Sequence, residues 1–256
     1  MSFTYKTIEL DSYFKASEGT FESVEAIDPP DVLSLGLPSG STITADPDFE
    51  TLAVLARTSE GSGNKITNNG RAADGNRLGG TWATEPDGSV YLRDPRIVFP
   101  HHASMVGVES EDDNPDVNIS AAVSISNPVE GALIAKKGLV VFRVTTSGRL
   151  ELRKTFYEAP GSKSAGGIKT VTLSSATGFF KDGLRHTAGF TRKGNTCTTL
   201  VDGEPVKEKS FDIKNTHDPG DKLYFGVDGN SGFHYTGDMD MMIYMGSGGA
   251  FSFFRK

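Results

Sequence analysis

Asp238-Met239-Asp240 sets two carboxylates two residues apart. On a strand, alternation puts both on one face. Paired carboxylates do the work of glycoside hydrolysis, about 5 Å apart for retention and further apart for inversion. His186 lies inside a strand-like stretch, where a packed, hydrogen-bonded imidazole is preferred over a general base. Cys197 is the single cysteine, so no intrachain disulfide framework exists. A lone strand cysteine is more often a small core residue than a nucleophile. No nucleophile elbow, zinc-ligand spacing, P-loop or dinucleotide fingerprint is present.

Two further groups suit binding rather than catalysis. Glu109, Glu111, Asp112, Asp113 and Asp116 crowd one short stretch, and Asp228 lies in a Gly226-Val227-Asp228-Gly229-Asn230 turn. Ca²⁺ takes six to eight oxygen ligands, so these acids are its candidates, although the spacing is not that of an EF-hand and a solvated charge run reads the same way. Trp82 is the only tryptophan and stands near Arg71 and Arg77 beside a polar Gly/Asn-rich stretch. A Trp face can stack on a pyranose and an arginine can bond its hydroxyls. The competing reading makes Trp82 a core anchor. His101-His102 point to opposite sides of an extended chain and suit a surface turn better than one metal.

The elements that would carry these groups are strands and turns. Thirty Gly and twelve Pro in 256 residues, without long apolar runs, favour short strands. Val117 to Ser126 alternates cleanly, with Val117, Ile119, Ala121, Val123 and Ile125 on one side. Strands are also expected at 97–99, 105–108, 133–136, 139–145, 149–154, 168–173, 223–227 and 234–245. In the N-terminal part, Asp46-Pro47-Asp48 reads as a helix cap, and Phe49, Leu52, Ala53, Leu55 and Ala56 follow helical spacing. The expectation is a short helix from Pro47 to about Thr58, with a buried strand at Leu52–Leu55 as the alternative. Residues 59–80 read as a long exposed loop or two tight turns. Apolar Phe251 to Phe254 suits a groove or a neighbouring subunit.

Leu184 to Val206 is the most patterned stretch. Leu184, His186, Ala188 and Phe190 are expected on one face, then Cys197, Thr199 and Val201 on one face of the next strand. Asp202-Gly203 is a strong type I′ hairpin signal, and Pro205 suits an edge strand. Leu184-Arg185-His186-Thr187-Ala188 followed by Leu200-Val201-Asp202-Gly203 resembles the laminin-G-like branch of the concanavalin A-like jelly rolls. Leu184 replaces that family's usual Trp, and Arg185 stands at the first of its two His positions. Gly237-Asp238-Met239-Asp240 through Ile243-Tyr244 resembles its closing strand, where the resemblance gives Asp240 a structural part. The resemblance covers about residues 98–254.

It implies an all-β, antiparallel two-sheet jelly-roll sandwich at 96–256, preceded by an N-terminal accessory region at 1–95. Glucan hydrolases of that superfamily carry Glu-x-Asp-x-x-Glu. Asp238 and Asp240 lack the third acid, since Ile243 and Tyr244 follow. The absence of Gln also removes the usual neutraliser of jelly-roll lyases. The functional expectation is therefore a non-enzymatic binding or adhesion protein for a glycan or protein surface. A polysaccharide-cleaving enzyme using Asp238, Asp240 or His186, and a purely structural assembly subunit, are the alternatives. A net charge of −7 with no basic stripe argues against nucleic acid. No run of about 18 apolar residues suggests a membrane span. The N-terminus lacks the apolar core of a signal peptide. An extracellular or virion-surface protein, such as a phage decoration or fibre component in a homo-oligomer, fits these features.

Overall fold

The computed structural model describes residues 6–9, 15–17, 41–45, 52–58, 60–86, 88–105, 118–137, 139–157, 168–175, 180, 184–211, 215–216, 220–229, 233–246 and 251–255. Four strands form a small sheet: β1 (Lys6–Glu9), β2 (Lys15–Ser17), β3 (Ser41–Ala45) and the last strand, β19 (Phe251–Arg255). Its order is β19-β3-β1-β2, so the C-terminal strand pairs with the N-terminal segment.

The other strands belong to one long antiparallel ladder. They are β4 (Leu52–Arg57), β5 (Lys65–Ile66), β6 (Gly75–Thr84), β7 (Val90–Phe99) and β8 (Asn118–Ser126). Then come β9 (Gly131–Lys136), β10 (Val140–Val144), β11 (Leu150–Tyr157) and β12 (Ile168–Ser174). The motif stretch supplies β13 (His186–Lys193), β14 (Thr196–Val201) and β15 (Glu204–Ser210). Short β16 (Asn215–Thr216) and β17 (Leu223–Phe225) precede β18 (Asp238–Met245). The ladder runs β12-β11-β10-β9-β17-β7-β18-β8-β13-β14-β15.

The fold is an all-β sandwich, and β7 is its corner. Ile97–Phe99 pair with β17, whereas Leu92 and Arg93 pair with β18. Between them Asp94 has a φ of +50° and Pro95 follows. The Asp94 carboxylate accepts the Gly237 amide at 3.0 Å, which fixes the bend. A strand that bends sharply passes from one layer to the other. The layers then face each other: Phe142 on β10 and Phe190 on β13, well apart in the ladder, have ring centroids 5.4 Å apart. The end strands β12 and β15 also approach each other. Alternation supplies the core, in which Ile119, Ala121, Val123 and Ile125 of β8 join Phe142, Leu150 and Leu152.

Several local expectations hold. Asp202 and Gly203 both take positive φ, as a type I′ turn requires. β15, with Pro205, is an edge strand. Cys197, Thr199 and Val201 are all buried. The closing strand does pair with an early one, β4.

Two expectations are corrected. Leu52–Arg57 is a strand, not a helix; Asp46 to Thr51 lie outside the described residues. A short apolar run carries both periodicities, and tertiary pairing decided it, because β18 bonds one edge of β4 from Met241 to Met245. Leu184 does not share the inward face of β13. It precedes that strand and is 53% exposed, while the Phe180 ring packs edge-on against His186. The expected boundary at 95/96 falls inside β7, and β4 and β6 are hydrogen-bonded into the same ladder as the later strands.

The stretch expected to be a long exposed loop instead closes the free edge of β4. The Asn69, Arg71 and Ala72 amides donate to the carbonyls of Leu55, Leu52 and Ala53. Asn68 Oδ1 accepts the Leu55 and Gly70 amides at 2.9 and 3.0 Å. Its Nδ2 donates to the Ala53 and Ala72 carbonyls at 3.1 and 2.6 Å. One side chain thus acts as a rung of sheet, satisfying an edge that would otherwise invite pairing with another chain.

Candidate functional site

Asp238 and Asp240 do lie on the outward side of β18, away from Met239, which joins the core. Asp238 is opposite Arg93 on β7 and Ser126 on β8. The Arg93 Nε lies 3.1 Å from Asp238 Oδ1, and Asn127 Nδ2 donates to Oδ2 at 3.2 Å. Arg93 Nη2 also donates to the Tyr91 hydroxyl at 2.8 Å. Asp240 Oδ2 is 2.6 Å from Arg185 Nη1, and Arg185 Nη2 is 3.6 Å from Glu85 Oε1. The guanidinium groups of Arg93 and Arg185 lie 5.7 and 5.8 Å from the Tyr91 ring centre.

Each carboxylate of the pair is committed to an arginine. Burial pushes the Asp240 carboxyl up from the usual range, opposed by Arg185, Ser124 and Arg57. A glycosidase acid needs an unpaired proton facing substrate. Asp240 is 5% exposed, whereas the Arg93 side chain is 56% exposed. The group on offer to a ligand is thus a guanidinium, held in place by Asp238 and Tyr91.

His186 is buried, with Nδ1 2.7 Å from Asp202 Oδ2. The other Asp202 oxygen accepts the Thr187 amide at 2.8 Å. The pair ties the type I′ turn back to β13, the packed role expected for this histidine. His101 and His102 take separate partners. His101 Nδ1 is 3.1 Å from Lys136 Nζ, and His102 Nδ1 is 2.8 Å from Ser104.

Trp82 and Arg77 come together, and Arg71 is placed elsewhere. Trp82 lies opposite Leu92 on β6–β7 and packs partly against the core. Its Nε1 donates to the Gly63 carbonyl at 3.1 Å. Arg77 Nε donates to the same carbonyl at 2.9 Å and Nη2 to Asn64 Oδ1 at 2.8 Å. Its guanidinium is 5.9 Å from the Trp82 ring centre. Both side chains therefore hold the Gly63-Asn64 turn. The exposed Arg71 sits beside β4, through its amide to Leu52. Glu109, Glu111, Asp112 and Asp113 lie outside the described residues; Asp228 is half-buried. Among the described residues, no three His, Cys, Asp or Glu side chains gather as a metal would require.

Tyr91, Arg93 and Arg185 were missed as a group. Tyr91 and Arg93 alternate with buried Leu92, and a charge at that position in an apolar strand was the available signal. Arg185 was visible only as a departure from the laminin-G pattern. Among the described residues no helix is long and apolar enough to cross a membrane.

No protein-family model matches the chain. No curated protein sequence matches it either. Its fold is similar to the binding domain of Paraclostridial Mosquitocidal Protein 1, with a TM-score of 0.56 and 13% identity over 78% of this chain and 50% of that one. It is similar to the botulinum neurotoxin serotype G binding domain, with a TM-score of 0.52 and 12% identity over 77% of this chain and 48% of that one. The receptor binding domain of botulinum neurotoxin D gives a TM-score of 0.50 and 9% identity over 78% and 50%. The chain spans about half the length of these solved chains. At such identities the likeness is one of fold.

Proposed function

We propose that the protein is a non-enzymatic binding module that engages a glycan or a glycan-bearing protein surface. The observation that carries this reading is the state of the carboxylate pair: Asp238 and Asp240 are each held by an arginine, so the acid and base of a hydrolase are not offered. The fold likeness to domains titled as binding domains supports the same direction. The finer reading follows the sequence: a laminin-G-like sandwich at the surface of a virion or another extracellular assembly, present as a homo-oligomer. Ca²⁺ held by the 109–113 acids with Asp228, and ligand contact at Trp82, Arg77 and Arg71, belong to the same proposal.

A glycan array probed with labelled protein of known oligomeric state, with and without EDTA, tests it. Specific hits are expected, and their loss in EDTA would assign the acidic stretch to Ca²⁺. A blank array from folded protein would refute glycan binding. Release of reducing ends from a polysaccharide, abolished in Asp240→Asn with the fold intact, would replace the module with an enzyme.

A further inference from the structure

The strand registers define an outward face on the other layer. Tyr224, Ala135, Val141, Arg153 and Thr172 form one row across five strands, from β17 to β12. Ala132, Arg143, Glu151 and Ser174 form the next. Both rows alternate with Ile134, Phe142, Leu152 and Leu173, which enter the core. They therefore point away from it.

Charge within the group Arg143, Glu151 and Arg153 does not balance. Arg143 Nε and Nη2 lie 2.8 and 2.7 Å from Glu151 Oε1, and Arg153 Nε lies 2.7 Å from the same oxygen. Two guanidinium groups share one carboxylate, which leaves an excess of one positive charge in a protein of net charge −7. Glu151 Oε2 takes no bond among the described residues. Arg153 is 46% exposed. Above Arg143 stands Phe233, its ring centre 5.3 Å from the guanidinium carbon. Phe233 is 53% exposed. It is positioned by the Val227–His234 bridge beside it. Half-buried Tyr224 stands three strands from Arg153, beside Asp221, its ring packed over Gly229, where an added Cβ would come within 2.9 Å. An exposed aromatic ring fixed over a cation, beside small residues and a free carboxylate oxygen, matches a pyranose. Its C–H face stacks on an aromatic ring, and its hydroxyls bond charged groups.

Resting on the binding reading above, we infer that Phe233, Arg143, Glu151 and Arg153 form a site for a carboxylate-bearing sugar. The sugar ring stacks on Phe233, its carboxylate meets Arg153, and a hydroxyl donates to Glu151 Oε2. Charge complementarity selects the acidic sugar over its neutral counterpart.

The test is calorimetric titration of the full chain with matched pairs: α2,3-sialyllactose against lactose, and a galacturonate trimer against its methyl ester. In at least one pair the acidic member is expected to bind about tenfold tighter or more, an advantage that shrinks with salt. Phe233→Ala should weaken binding about tenfold and Phe233→Trp restore it. Arg153→Ala should abolish the preference for the acid, and Arg153→Lys retain part of it. Both side chains are solvent-facing, so circular dichroism should show unchanged folding. Equal binding of acidic and neutral members overturns the inference, as does wild-type affinity in both alanine variants. If the wild type binds glycans on the array but neither variant changes that binding, only this site falls. If it binds no glycan, the glycan-binding reading falls with it.

Discussion

Replacing Asn68 by Ala removes four hydrogen bonds at once, two accepted by Oδ1 and two donated by Nδ2. They join the 67–72 segment to β4 and bind the segment to itself. Each such bond is worth about 0.5–1.5 kcal/mol net, and water recovers part of that at a half-buried site, so a loss of about 2–4 kcal/mol is expected. For a chain of this size, that lowers the melting temperature by about 5–15 °C. Urea unfolding followed by circular dichroism measures it. Asn69→Ala is the control, because the exposed Asn69 contributes its main-chain amide to Leu55 and no side-chain bond among the described residues. A loss in Asn68→Ala no larger than in the control would refute the claim that this side chain closes the β4 edge. The variant should also associate more readily at high concentration, since an uncapped edge offers free amides and carbonyls.

Gly70→Ala should destabilise by about 1–3 kcal/mol in the same assay, because the added Cβ would sit 2.5 Å from the Ala53 carbonyl oxygen, which is backbone and cannot turn aside. Gly203→Val should cost about 1–2 kcal/mol, since a β-branched residue is strained at a φ of +85° in the type I′ turn. Asp240 gives a pH prediction. Burial raises its carboxyl, so the folded state holds that proton more tightly than the unfolded state does, and between the two values the folded state binds more protons. Its contribution therefore falls as pH rises through that window. Stability of the wild type minus that of Asp240→Asn should decline as pH rises above about 4. A rising difference would mean that Arg185 outweighs burial.

The sequence by itself determined the strands whose signals are local. Asp202-Gly203 needs no neighbour to prefer positive φ, and the alternation of Ile119, Ala121, Val123 and Ile125 names its own inner face. His186 and Cys197 were legible as packed residues because they fall on apolar faces. Asp238 and Asp240 were legible as a same-face pair, for the same periodic reason.

Their partners were not legible. Arg93 is 145 residues from Asp238, and only the bend of β7 at Asp94 carries it to β18. The run Leu52–Ala56 suits a helix or a strand until β18 offers its edge. Asn68 looked like a turn residue, and became a sheet rung only because β4 left carbonyls and amides to satisfy. Phe233, Arg143 and Arg153 come from three separate segments. Side-chain period is a property of one strand, but charge pairing and a shared face belong to the register between strands, which only the tertiary structure sets.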